Sequence, residues 1–197
     1  TFTANIATVS GTAFDNCLTI TGGTFPTEDS DNISEYIPKG MILNPSTGEV
    51  IIDTKTAVAE VNGVGYPTLQ DAIDSAPENG TVTVLKDVEV ASVINAKKVL
   101  TFQGAPQADG SKPVISSAKG GIFSQSGNAQ YTLVGLELKA TRDDQWYIYH
   151  NAGKLTINNC DFTMANGVTH TGNVIMGEGS TESDSGYSLT FTDNTIT

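Results

Sequence analysis

Apolar and polar positions alternate in short bursts along this chain, and one burst recurs: apolar-Thr-apolar, then polar or small residues, then another apolar residue. It reads Leu18-Thr19-Ile20-Thr21-Gly22-Gly23-Thr24-Phe25, Leu155-Thr156-Ile157-Asn158-Asn159-Cys160-Asp161-Phe162 and Leu189-Thr190-Phe191-Thr192-Asp193-Asn194-Thr195-Ile196; Leu100-Thr101-Phe102 and Tyr131-Thr132-Leu133 begin the same way. Period-two alternation closed by Asn, Asp or Gly predicts a short strand with one buried face and a turn after it. From Leu100 onward the phrase returns at irregular intervals of roughly 24 to 34 residues, which predicts coils that bury their apolar faces only by stacking on one another.

Other elements follow from the same patterning. Phe2, Ala4 and Ile6 alternate with Thr3 and Asn5, so the first residues read as strand. Between Asp29 and Gly40 a short helix is predicted, with Asp31 as its cap, Ile33, Tyr36 and Ile37 inward and Gly40 as its stop. Met41-Ile42-Leu43 and Val50-Ile51-Ile52 flank a turn-rich stretch and predict a hairpin. Val58, Val61 and Val64 surround Asn62-Gly63, a second hairpin signal. Thr68 with Asp71 three residues on resembles a capping box, and Leu69, Ala72, Ile73 and Ala76 make one apolar helix stripe that Pro77 ends. Val82 and Val84, then Val88 and Val90, predict strands with Thr83 and Glu89 outward.

The run Tyr66-Pro67-Thr68-Leu69-Gln70-Asp71-Ala72-Ile73-Asp74-Ser75-Ala76-Pro77-Glu78-Asn79-Gly80-Thr81-Val82-Thr83-Val84 resembles the N-terminal cap of right-handed parallel β-helix proteins of the pectin lyase-like class. That class includes pectin esterases, polygalacturonases, pectate lyases and many non-catalytic bacterial surface proteins. With Val61-Asn62-Gly63 before the cap helix, and Gly22-Gly23-Thr24-Phe25 and Ser34-Glu35-Tyr36-Ile37 elsewhere, the chain is most similar to repeat-bearing surface proteins of gut bacteria. The resemblance spans about residues 15–197, with the cap as its most specific part. It implies an all-β fold, a right-handed parallel β-helix with an amphipathic cap helix near residues 68–76, and a secreted or surface-attached, non-catalytic module acting as adhesin, spacer or assembly unit. In such proteins the cap comes first and the Gly-Gly-Thr-Phe and Tyr-Ile elements close the stack. Here the closing elements, within residues 1–56, precede the module at 57–197. Two arrangements satisfy that order: the chain spans the boundary between tandem modules, or its N-terminal strands cover its own C-terminal coil.

Charge narrows the partners. The net charge of −12 and the single arginine, Arg142, exclude nucleic acid, which needs clustered Lys and Arg, and disfavour anionic membranes and polyanionic substrates. No apolar run approaches the ~18 residues that span a bilayer, so no membrane insertion is expected, and no signal peptide is read at the first residues. Cys17 and Cys160 are read equally well as buried thiols or a disulfide, and neither has the neighbours of a metal site. Neither cofactor nor metal is called for. The acidic stretches at 27–32 and 178–184 lack the spacing of a calcium loop and read as solvated.

The densest chemistry is Arg142-Asp143-Asp144-Gln145-Trp146-Tyr147-Ile148-Tyr149-His150. Asp143 and Asp144, with His170 further on, resemble the order of an inverting polygalacturonase, which uses paired carboxylates and a water. The Asn-x-Asp, Gly-His-Gly and Arg-x-Lys elements of that family are missing, so no catalytic residue is assigned. Pectin esterases and pectate lyases act on uronates near an arginine, a poor match to one Arg in a negative field. A second reading makes Arg142, Asp143, Asp144, Trp146, Tyr147 and Tyr149 a carbohydrate-binding surface: aromatic rings against a sugar face, flanking polar groups on its hydroxyls. Against it stands a plain strand, with Trp146, Ile148 and His150 inward and Tyr147 and Tyr149 outward. The expected partner is a host or bacterial surface glycan or protein, or further copies through self-association or tandem stacking.

Overall fold

The computed structural model describes residues 18–27, 33–177 and 187–197. The predicted N-terminal strand, the Asp31 cap, Cys17 and most of both acidic stretches lie outside the described residues. The described part is built from strands, most of them parallel.

A 3₁₀ turn at Ser34–Tyr36 stands where a helix is predicted, followed by the hairpin β1 (Met41–Leu43) and β2 (Val50–Ile52). Its loop is held by Asn44, whose side-chain oxygen accepts from the amides of Ser46 (2.9 Å) and Thr47 (3.3 Å). Next comes β3 (Ala59–Val61) and β4 (Val64–Tyr66), joined by Asn62-Gly63 with φ of 52° and 82°. Two left-handed residues suit a two-residue hairpin, and Asn-Gly is the pair that adopts them most cheaply. Helix α1 (Leu69–Ser75) starts where the capping box puts it, the Thr68 hydroxyl accepting from the Asp71 amide at 3.1 Å. Leu69, Ala72, Ile73 and Ala76 are buried, as the stripe predicts.

From there the chain repeats one itinerary. Strands β5 (Gly80–Val84), β7 (Val99–Gly104), β10 (Gln130–Val134), β13 (Lys154–Asn158) and β16 (Ser188–Thr192) pair in parallel in a first sheet. β6 (Val88–Val90), β8 (Val114–Ser117), β11 (Glu137–Ala140), β14 (Asp161–Met164) and β17 (Thr195–Ile196) form a second, and β9 (Phe123–Gln125), β12 (Ile148–His150) and β15 (Ile175–Met176) a third. The passes that begin at β7, β10 and β13 therefore visit the three sheets in turn, while β5–β6 and β16–β17 add strands to the first two. At the start, β3 pairs antiparallel with β5 and turns the first sheet's edge into a hairpin.

The recurring phrase fixes the register. Leu100, Tyr131, Leu155 and Leu189 stand opposite one another, as do Phe102, Leu133, Ile157 and Phe191, with a column of Thr101, Thr132, Thr156 and Thr190 between them on the other face. A slip of one residue would turn each apolar pair outward, so the pattern admits one register. Inside, Phe102 meets Phe123 and Tyr131 edge-on at 5.1 and 5.6 Å, and the Tyr131 hydroxyl donates to the Ala96 carbonyl at 2.6 Å. Burying each such side chain contributes roughly 1.5 to 3 kcal/mol. The turn after the phrase is also repeated. Gly135, Asn159 and Asp193 follow β10, β13 and β16 with φ of 63°, 51° and 54°, which is why the phrase ends in Gly, Asn or Asp. Asn194 bonds its neighbouring lap twice, to the Cys160 amide (2.8 Å) and the Ile157 carbonyl (3.0 Å), and Asn158 donates to Thr192 at 2.7 Å.

The first copy of the phrase departs from the prediction. Residues 18–27 join none of the three sheets: Thr24 bridges Glu49, the Ile20 amide donates to Tyr36, and Ile20 shares a small core with Ile33, Met41 and Val50. Val64 of β4 packs on that core. These residues therefore lie with the β1–β2 hairpin and do not cover β16, whose Leu189 (47%) and Phe191 (38%) are exposed together with Ile196 (61%).

Candidate functional site

The cluster from Arg142 to His150 connects β11 to β12 and faces the connection from β14 to β15, one lap further along. Arg142, Asp143 and Asp144 are exposed. Asp144 takes a left-handed conformation (φ 59°) and so turns the chain at this corner. Asp143 then reaches across: one carboxylate oxygen accepts from the Thr169 amide (2.8 Å), the Thr169 hydroxyl (3.2 Å) and the His170 amide (3.3 Å). These donors hold the Asp143 carboxyl below the usual range, the Thr169 amide most of all. His170 meets Asp144 through Nε2 at 3.0 Å, and its Nδ1 lies 3.0 Å from the Thr169 hydroxyl.

The structure thus brings together the two aspartates and the histidine that the sequence set side by side. Its chemistry is that of a loop clamp. An inverting hydrolase needs one carboxyl kept protonated at working pH and a water-wide gap, about 6.5 to 9.5 Å, between its two carboxyl groups. Here one carboxyl is pulled toward ionisation by backbone amides, and the Asp144 side chain is 83% exposed. Grooves of about 340, 450 and 520 Å³ lie elsewhere, at the β1 hairpin, beside α1 and at residues 107–111.

The aromatic residues divide differently from either sequence reading. Ile148 and His150 point inward and Tyr149 outward, as the strand reading predicts. Tyr147, however, is only 2% exposed, its ring edge-on to Phe162 at 5.3 Å and its hydroxyl donating to the Thr163 carbonyl at 2.6 Å. Burial pushes its phenol above the ordinary value. Tyr147 is thus part of the core and is removed from the sugar-facing set. Strand β12 begins only at Ile148, so the period-two rule does not extend back to it. Trp146 is half-buried over Gly121, where a Cβ would fall 2.2 Å from the indole, and stands 5.9 Å from Tyr149, tilted by 55°. Within the run from Arg142 to His150, this half-buried pair is the aromatic surface that reaches solvent.

Buried polar side chains that the sequence reading passed over do much of the joining. Gln145 is fully buried; its oxygen accepts from the Thr141 amide (2.7 Å), and its amide donates to the carbonyls of Ser117 (2.8 Å) and Lys119. Gln125 is buried likewise and donates to Ala129 (2.9 Å), Ala152 (2.7 Å) and Lys154 (2.9 Å). The one legible signal was Gly120-Gly121, a small pair inside a strand-rich run that marks a close approach, here by Trp146. Cys160 is a buried free thiol raised by its burial, with Asn158 as its acceptor at 3.4 Å. Among the described residues no three His, Cys, Asp or Glu side chains converge in a way that would hold a metal ion, and no helix is long and apolar enough to cross a membrane.

Comparison of the chain with family models, with curated proteins and with solved structures finds no match.

Proposed function

We propose that this chain is a right-handed parallel β-helix serving as a non-catalytic module of a bacterial surface protein, outside the cell, as adhesin, spacer or assembly unit. The observation that carries this reading is how its functional groups are used. Asp143, Gln145, Tyr147 and Gln125 each bond the lap before or after their own, so the side chains richest in chemistry act as ties between laps. The pattern of parallel strands visiting three sheets in turn supports the β-helix, and the cap helix with its hairpin supplies the covered end that such a stack needs. The packing of residues 18–27 on the β1–β2 hairpin favours the boundary between tandem modules over self-coverage of the last coil.

A second reading, a glycan-binding surface at Trp146 and Tyr149 beside Arg142, Asp143 and Asp144, is favoured by that half-exposed aromatic pair. One paired experiment separates the two: a broad glycan array and a reducing-sugar release assay on the 197-residue chain. Silence in both is the expected result. Binding lost in Trp146→Ala replaces the first reading by the second, and sugar release lost in Asp144→Asn overturns the non-catalytic assignment.

A further inference from the structure

Among the described residues, one buried side chain makes no hydrogen bond through either of its polar atoms. His150 is fully buried, and neither ring nitrogen has a hydrogen-bond partner. Its ring stacks on Tyr187 at 4.4 Å and 23°, and Tyr187, 41% exposed, leads directly into β16. Buried imidazoles normally spend at least one nitrogen on a carbonyl, a carboxylate or a water, so an unbonded ring at this position is an exception with a use.

We propose that His150 is an acid-sensitive pin for the last lap of the chain: neutral, it holds Tyr187 and β16 in place, and protonated, it releases them. The neutral ring is accommodated as an aromatic surface, stacked between laps. The imidazolium has two N–H donors, and among the described residues no acceptor makes a hydrogen bond to either, the Ser188 peptide alone acting in its favour and being outweighed by burial, so the charged form is driven toward water.

The surroundings decide which way it goes. From β9, Gln125 stands in register with His150; its amide is held by three carbonyls, and its oxygen is also without a partner. From β15 and the residue after it come Met176, paired with Tyr149, and Gly177, where a Cβ would fall 3.1 Å from the His150 carbonyl. From β13, Lys154 offers its carbonyl to Gln125 while the residue itself is exposed. From the run into β16 come Tyr187 and the Ser188 peptide. Among the described residues no charged side chain acts on the ring; burial lowers its pKa, and the Ser188 peptide opposes that. The side toward β9 is thus tied down by Gln125. The side toward β16 is held by the stack and by a Tyr187 hydroxyl 3.5 Å from the His150 carbonyl, and its outer face already meets solvent. Cation–π attraction to Tyr187 offsets only a small part of the cost of a desolvated imidazolium.

The sign follows. With the folded-state pKa below the free value of about 6.5, the unfolded form binds more protons as pH falls, so the stability of this lap is full above that value and declines beneath it. The pH range from 7 to 5 lies above the titration of ordinary carboxylates, which isolates the effect.

The test is hydrogen exchange resolved to segments, with a proton NMR titration of the two histidine rings, on the 197-residue chain between pH 7.5 and 4.5. After correction for intrinsic exchange rates, protection of 189–191 is expected to fall at least ~tenfold more than that of β10, in step with titration of His150 below the free-histidine range. In His150→Phe, which keeps the stack on Tyr187, the differential loss disappears; in His170→Gln it persists. Should His150→Phe fail to fold, the NMR titration of the natural chain decides alone. Protection of 189–191 that does not change with pH, a loss that survives in His150→Phe, or a His150 that titrates as a free histidine overturns the proposal.

Discussion

Lys98, just before β7, is where helix α1 is fastened to the parallel strands, and its removal tests how the two are joined. Its ammonium donates to three carbonyls at the end of α1: Ile73 at 3.1 Å, Asp74 at 3.0 Å and Ala76 at 2.8 Å. Helix C-termini leave carbonyls without intrahelical partners and carry partial negative charge, so one cation there serves both needs. In Lys98→Met the stem still packs and only the charge and its bonds are lost. A buried charge-assisted bond contributes about 1.5 to 3 kcal/mol, but Lys98 is half-buried and freed carbonyls regain water. One well-placed bond plus a dipole contribution of about 0.3 to 1 kcal/mol gives an expected loss of about 1 to 2 kcal/mol. For a chain of this length that lowers the melting midpoint by roughly 2 to 8 °C. Urea unfolding measures the loss, and hydrogen exchange locates it: protection of residues 72–76 should fall before that of β13, since stacked laps need not unfold as one. Lys97→Met, at an exposed neighbour, should stay within about 0.5 kcal/mol. A Lys98→Met loss below about 0.3 kcal/mol, or one spread evenly over all strands, would refute the reasoning.

Three further outcomes are expected. Gly121→Ala drives a methyl into the indole of the sole tryptophan, Trp146, and should cost about 1 to 3 kcal/mol with a red-shifted tryptophan fluorescence; an unchanged spectrum would show that the indole lies elsewhere. Asp143→Ala should abolish amide protection at Thr169 and His170 while leaving β12 intact; in the natural chain, because this carboxyl is lowered, the same protection should persist above the ordinary carboxylate range near pH 4 and be lost as pH falls through the depressed value. At the left-handed corner, Asn159→Val should cost about 1 to 2 kcal/mol and Asn159→Gly almost nothing in urea unfolding, whereas equal effects would remove the conformational explanation of the phrase's last residues.

Much of the chain's local structure was written in its own pattern. Leu100-Thr101-Phe102, Tyr131-Thr132-Leu133, Leu155-Thr156-Ile157 and Leu189-Thr190-Phe191 are strands because β-branched and apolar residues alternate, and they share a register because one face must be buried. Asn62-Gly63 and Thr68 with Asp71 act over two to four residues, so the hairpin and the helix start could be read without knowing the fold. What lies across a parallel pair is decided elsewhere, since each strand's parallel neighbours come from a lap 20 to 34 residues away. The copy at residues 18–25 has the same local pattern as the others, and only the tertiary structure sends it to the hairpin at β1 and β2. For the same reason period-two counting failed at Tyr147, which turns inward where the chain enters β12 and meets Phe162 from the next lap. Gln125, Gln145 and His150 carry nothing in sequence that separates a buried side chain from a solvated one; their burial depends on the laps that enclose them. Alternation and turn chemistry are short-range and belong to the sequence, whereas the pairing of laps, and with it the surroundings of each functional group, is long-range and belongs to the folded chain.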